Sequence, residues 1–164
     1  MYKSLKNTLD VRVIKIWRVK HALLACLTWL SLGALAVAVL ISTNQPLPTH
    51  LLVTAIILIC FVANIIFAVV IWPNIVYKNW SYELSSEYLE IKHGVIFKKH
   101  TVVPFIRVQN TDTIQGPLLR AFKLAEVMVS SAASSHKITG LDMTVAEELR
   151  DKAAEFARLA KEDV

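Results

Sequence analysis

A chain of 164 residues with a net charge of +5 and 55% hydrophobic residues has room for about one small domain, yet it is more apolar than a soluble domain of that size. From position 73 onward, basic and acidic residues balance at twelve each. The excess charge therefore belongs to the amino-terminal flank, where Lys3, Lys6, Arg12, Lys15, Arg18 and Lys20 face Asp10 alone. That distribution argues against a nucleic-acid partner and for anionic lipid headgroups, with Arg12, Lys15, Arg18 and Lys20 as candidate contacts.

The flank, residues 1–20, supports two readings. Leu5, Leu9, Val13 and Ile16 have helical spacing, while "VIKIW" suits a strand equally well. Residues 21–72 hold two apolar blocks, "ALLACLTWLSLGALAVAVLIS" from Ala22 and "LLVTAIILICFVANIIFAVVIW" from Leu51, both free of Asp, Glu, Lys and Arg. Each has about twenty residues, enough to cross roughly 30 Å of hydrocarbon as a helix. A cleaved signal peptide is the rival reading of the first block, given its basic flank and an Ala34–Ala36 triplet. Its apolar run is too long for that, and a second block follows at once. The linker "TNQPLPTH" has two prolines and no Lys or Arg, which predicts a tight turn and an antiparallel transmembrane hairpin. Basic residues flank the hairpin and are absent from its turn, so the positive-inside rule puts both termini in the cytoplasm.

Within the hairpin, Thr28 and Asn64 lie at similar depth, about 10 Å from the cytoplasmic side at 1.5 Å per residue. The expectation is a hydrogen bond between them, since an amide left unpaired in lipid is costly. Asn64 then reads as packing glue, or alternatively as part of a substrate or ion pathway. Ala34 and Ala38 give the first span a small-residue surface. Trp17, Trp72, Tyr77 and Trp80 fall at the boundary where amphipathic rings settle, whereas Trp29 sits deeper. Cys26 and Cys60 lie inside the spans and suggest neither a disulfide nor a metal site.

From 73 to 164 the pattern changes to short alternating runs. Asn79 to Leu84 and Tyr88 to His93 are predicted strands, and Gly94 marks a hairpin turn. Val95 to Val103 and Phe105 to Asn110 follow, interrupted or bulged at Pro104. Gly116 and Pro117 open a short helix. "LAEVMVSSA" from Leu124 and "HKITGL" from His136 bring the count to about six strands. The last run predicts a helix with Thr144 as N-cap, Glu147 at the capping-box position, and an apolar stripe of Val145, Leu149, Ala153, Phe156 and Leu159 or Ala160. The predicted fold is thus an α-helical membrane hairpin with an α+β cytoplasmic domain: an antiparallel sheet, curved or closed, covered on one side by a terminal helix.

"IWRV" before the first span, "YELSSEYLEIKHGVIFKKHTVVPFIRVQNTDTIQGPLLRAFKLAEVMVSSA" and "ITGL" ahead of the last helix together resemble the bacterial pleckstrin-homology-like domains of small membrane proteins, in particular the YdbS-like family. The ordered run Pro104, Arg107, Gln109, Gly116, Pro117, Arg120 carries the resemblance. The chain departs from the family pattern at "SSAASS" (Ser130 to Ser135), where a Thr-Ala-Gly-like turn is expected. The resemblance implies a seven-stranded PH-like barrel with a carboxy-terminal helix, anchored by two spans in a bacterial plasma membrane. It further implies a larger relative with several copies of the domain as partner, and a link to resistance against membrane-active antimicrobial peptides.

Arg107 and Gln109 are two apart on a predicted strand and so share a face, with Arg120 on the short helix after Gly116 and Pro117. These five residues are the candidate assembly surface; the plainer reading is that they orient the loop and satisfy backbone carbonyls. Lys92, Lys98 and Lys99 suit either a solvated strand face or lipid headgroups. No Gly-rich phosphate loop, nucleophile elbow or HExxH motif is present, and His93 and His100 flank one turn without a third ligand. No enzyme, metal or cofactor is expected. The favoured reading is a homo-oligomer, or a hetero-complex with a larger membrane protein of the same domain family, in contact with membrane lipids. The alternatives are a transport or channel subunit and a phospholipid-binding module; the near-zero charge of 73–164 counts against the last.

Overall fold

The computed structural model describes residues 5–42 and 46–162. They divide into two compact units: the chain through Ile16 together with Ile75 onward, and Trp17–Asn74.

The second unit holds the greater part of α1 (Val13–Ser42) and of a continuous helix over Leu47–Lys78, both long and apolar enough to cross a membrane. The latter begins as α2 (Leu47–Ile65), widens to a π-turn over Ile66–Ile71, and resumes as α3 (Trp72–Lys78). Pro73 explains the widening. It offers no N–H, and its ring crowds the carbonyl four residues back, so the backbone ahead of it relaxes into longer-range bonds. Trp72 N–H accordingly donates to Phe67 O, and the Asn74 side-chain amide donates to Val70 O at 2.6 Å. The predicted tight turn includes 43–45, which lie outside the described residues.

The first unit contains two three-stranded antiparallel sheets. One has the order β1 (Ser81–Leu84), β2 (Tyr88–His93), β3 (Lys99–Pro104); the other β4 (Val108–Ile114), β5 (Leu124–Ser131), β6 (Ser135–Asp142). Helix α4 (Pro117–Ala121) joins β4 to β5, and α5 (Met143–Glu162) ends the unit. Leu89, Ile91, Val103 and Phe105 from the first sheet are buried, as are Val127, Val129, Ile138 and Leu141 from the second and Ala146, Leu149, Ala153 and Ala157 from α5. In β5 the alternation breaks where Leu124 and Ala125 are both buried, because the register shifts between Ala125 and Glu126. The seven-stranded barrel-like sheet that the resemblance implies is therefore corrected: among the described residues there are six strands in two separate three-stranded sheets, which do not close.

Among the boundaries that differ from the sequence expectation, three have a visible cause. Gly94, at φ +114°, turns the chain early enough that β3 starts only at Lys99. Phe105–Arg107 is a 3₁₀ turn after Pro104, so the fourth strand begins at Val108. Helix α5 is capped by Asp142 and not by Thr144: Asp142 Oδ1 accepts from Thr144 N–H at 3.1 Å and Thr144 Oγ1 at 2.7 Å. The buried stripe of α5 uses Ala146 and Ala157, while Val145 and Leu159 are exposed. Leu149 and Ala153 are buried as expected, Phe156 meets the buried Phe105 at 5.6 Å, and the alanines at 146 and 157 let the helix approach the sheet closely.

Of the two readings of the flank, the helix holds for "VIKIW", which opens α1, while residues 5–12 pack on the β unit. Asn7 exchanges backbone hydrogen bonds with Tyr82 at 3.0 and 2.9 Å, extending the β1 edge by one residue pair, and Asp10 N–H donates to Gly140 O at 2.9 Å. Leu9, Val13 and Ile16 are buried, each worth about 1.5–3 kcal/mol.

Candidate functional site

The most built surface of the β unit lies at the start of β4, an edge strand. Val108 pairs with Ser131 and Asn110 with Ser130, leaving Gln109 as the extra residue of a β-bulge. The bulge opens two adjoining pits. One, of about 310 Å³, is lined by Arg107, Gln109, Ala132 and Lys161; the other, of about 320 Å³, by Gln109, Thr111, Arg158 and Lys161. Arg107 and Gln109 do meet, but by the 3₁₀ turn and the bulge, not by the shared strand face the sequence suggested. Arg107 and Gln109 are exposed, and the Arg107 guanidinium has no ion-pair or hydrogen-bond partner among the described residues. Arg158 reaches Glu162 only at 4.0 Å. Three cations thus surround one bulged amide. Sequence reasoning missed Arg158 and Lys161, although their spacing of three on α5 puts them on one helix face.

The remaining proposed assembly residues do not join this group. Gly116 caps α4, Pro117 takes its first position, and Arg120 N–H donates to Gly116 O at 2.9 Å. Strand β4 separates Arg120 from Arg107 by roughly 20 Å at about 3.3 Å per residue, and no pit is lined by both. The loop is held from inside by Gln115, whose Nε2 donates to Leu124 O at 3.0 Å.

Among the candidate headgroup contacts, Arg12 is held by the protein itself. Its guanidinium bonds Asp10 at 2.9 Å, Asp142, and Phe122 O at 3.3 Å, so its donors are engaged in closing the fold. The cation holds the Asp10 carboxyl below its ordinary value and, with Thr144, pulls Asp142 down to about 2. Lys15 and Lys20 are exposed, whereas Arg18 is half-buried with an Nε that lacks a partner among the described residues.

In the hairpin unit, Thr28 does not reach Asn64. Its hydroxyl donates to Leu24 O at 3.0 Å and Ala25 O at 2.9 Å within its own helix. Asn64 Oδ1 instead accepts from Trp29 Nε1 at 3.3 Å, and the Trp29 ring meets Phe61 edge-on at 5.7 Å. The depth of Trp29, which sets it outside the aromatic belt, is the signal that could have pointed to this partner. An apolar groove of about 400 Å³ lies alongside, lined by residues including Cys26, Gly33, Val37, Leu58 and Phe61.

Potential chemistry elsewhere resolves into structure. His93 stacks on Trp80 at 5.8 Å, and its pKa is pushed down by burial and by Lys99; His100 sits 3.0 Å from Glu90. Ser130 bonds Ser135 at 2.9 Å, and Ser131 Oγ donates to Ser134 O at 3.0 Å, closing the β5–β6 turn. No cluster of three metal-ligating side chains occurs among the described residues.

Comparison with known proteins fits this architecture. The family model "Bacterial PH domain" matches residues 22–157. The chain is 32% identical over 164 residues to the UPF0699 transmembrane protein YdbS of Bacillus subtilis (strain 168), the alignment covering 100% of both. No solved structure matches. A full-length relative that is a transmembrane protein, two candidate spans and a matching domain model together identify the chain as a YdbS-like membrane protein of the bacterial PH-domain family.

Proposed function

We propose that this protein is a non-enzymatic assembly module of a bacterial plasma membrane, with both termini in the cytoplasm, whose PH-like domain binds a second copy of itself or a larger membrane protein carrying the same domain. The observation that carries this reading is the bulge at Gln109, which opens two pits ringed by Arg107, Arg158 and Lys161 on an edge strand. Bulges re-aim side chains at functional edges, and a basic pit beside an edge strand suits an acidic segment of a partner. The chain carries such a segment itself: Glu147, Asp151 and Glu155 recur every four residues along α5 and are exposed. In the hairpin, Asn64 bonded to Trp29 supports packing glue over a transport pathway. Service in envelope stress or resistance to membrane-active peptides completes the proposal.

The test is a photo-cross-linking amino acid at Gln109 in the full-length protein within its native membrane. An adduct with a chain bearing the same domain is the expected product. Irradiation that yields no protein adduct, while the same probe at Arg120 does yield one, would move the interface to the other end of β4 and overturn this surface.

A further inference from the structure

Hairpin turns favour polar residues and glycine, but the turn between β2 and β3 breaks that rule. After Gly94 the chain reads Val-Ile-Phe-Lys-Lys. Ile96 is 78% exposed and Phe97 89%, more than any other large apolar side chain among the described residues, including those of the spans. Gly94 fixes the turn at φ +114°, where a side chain would strike the Phe97 backbone, and paired strands hold both sides from His93 opposite Lys99 back to Tyr88 opposite Pro104. The tip is therefore a short apolar projection on a rigid hairpin.

We propose that this tip is a lipid-binding element: Ile96 and Phe97 enter the headgroup–acyl boundary of an anionic leaflet, while Lys98 and Lys99 meet its phosphates. Two side chains are too few for a stable protein interface, which needs about 800 Å² per partner. They suffice for interfacial insertion, where an apolar tip sinks below headgroup level and lysine stems extend back to it. Charge complementarity points the same way. Net charge near zero over 73–164 does not oppose it, because screening within about 8–10 Å makes local charge decide. Locally the field is positive: Lys98 and Lys99 are adjacent at the tip, and after burial it is the charge of Lys99 that lowers the pKa of both His93 and His136. Glu90, on the facing strand, is engaged with Lys92 and His100. A chain with two spans also keeps a leaflet permanently at high effective concentration.

The experiment uses full-length protein in lipid nanodiscs, with Cys26→Ala and Cys60→Ala and a polarity-sensitive fluorophore on Phe97→Cys. The same label on Leu159→Cys serves as the comparator. With phosphatidylglycerol present, the Phe97 label is expected to shift to the blue and be quenched by nitroxide lipids, and the Leu159 label to do neither. Lys98→Glu with Lys99→Glu is expected to cut the quenched fraction by roughly fivefold or more; should that variant fail to reconstitute, replacing phosphatidylglycerol with phosphatidylcholine reads the same dependence. Equal quenching in both lipids overturns the anionic preference. A label shielded from aqueous iodide yet untouched by nitroxide lipids lies against protein and overturns the proposal.

Discussion

Arg12 is ion-paired with Asp142 across 130 residues of sequence, joining the segment before the first span to the cap of the last helix. Asp10 grips the same guanidinium at 2.9 Å. Both carboxyls titrate below their ordinary value of 3.8, so this contribution to stability is fully present above about pH 4 and is lost as pH falls toward 2. Arg12→Ala is expected to raise the Asp142 pKa, though not fully to 3.8, since Thr144 still donates to it. Carboxyl NMR of the detergent-solubilised protein between pH 2 and 5 reads this directly; an unmoved Asp142 would show that the cap alone sets its titration.

Gly140 sits at φ +91°, and a side chain there would overlap Val13. Gly140→Ala should cost roughly 3 kcal/mol from backbone strain and displaced packing together. Adding Val13→Ala should relieve the overlap but leave the strain. The non-additivity is measurable as thermal midpoints of the four proteins, and strict additivity would mean that the two residues do not touch.

Asp142→Ala should lose about 1 kcal/mol from the cap alone, beyond the loss of its pairing with Arg12. Glu147→Ala should stay within about 0.5 kcal/mol, as expected of an exposed site outside the cap, and Thr144→Ala should cost less than Asp142→Ala, because it removes only the hydroxyl bond to Asp142 and leaves the backbone one. The reverse ranking in thermal unfolding would restore Thr144 as the cap.

Trp29→Phe keeps the ring against Phe61 and removes the donor to Asn64, at a cost of about 0.6–2 kcal/mol. Combined with Asn64→Leu, the loss should be less than the sum of the single changes. Asn64→Leu with Thr28→Ala should instead be additive, because Thr28 bonds only its own helix.

Elements with strong periodic or charge signals were legible in the sequence. Both spans, β2 and the α4 start at Gly116–Pro117 fall where composition and turn chemistry place them. Long-range constraint was not legible. Nothing local says that Arg12 will meet Asp142, so a basic residue beside a span read as a lipid contact. The Asp142 cap was hidden because Thr144 with Glu147 matches the capping-box pattern, and only the strand end at Asp142 decides between them. Arg107 and Gln109 were singled out, but alternation suggested a regular strand where Pro104 enforces a turn and a bulge follows. Trp29 was noticed as anomalous without its partner being named, since helix rotation is not written in an apolar run.

The most direct test of the assembly reading is the mass and composition of the tagged full-length protein purified from its own membranes in mild detergent. A defined complex is predicted, with a second copy or a larger protein of the same domain family. Arg107→Glu with Lys161→Glu should dissolve it while leaving the thermal midpoint of the monomer unchanged. A wild-type monomer persisting across several detergent concentrations would contradict the account, as would a complex that survives the charge reversal intact.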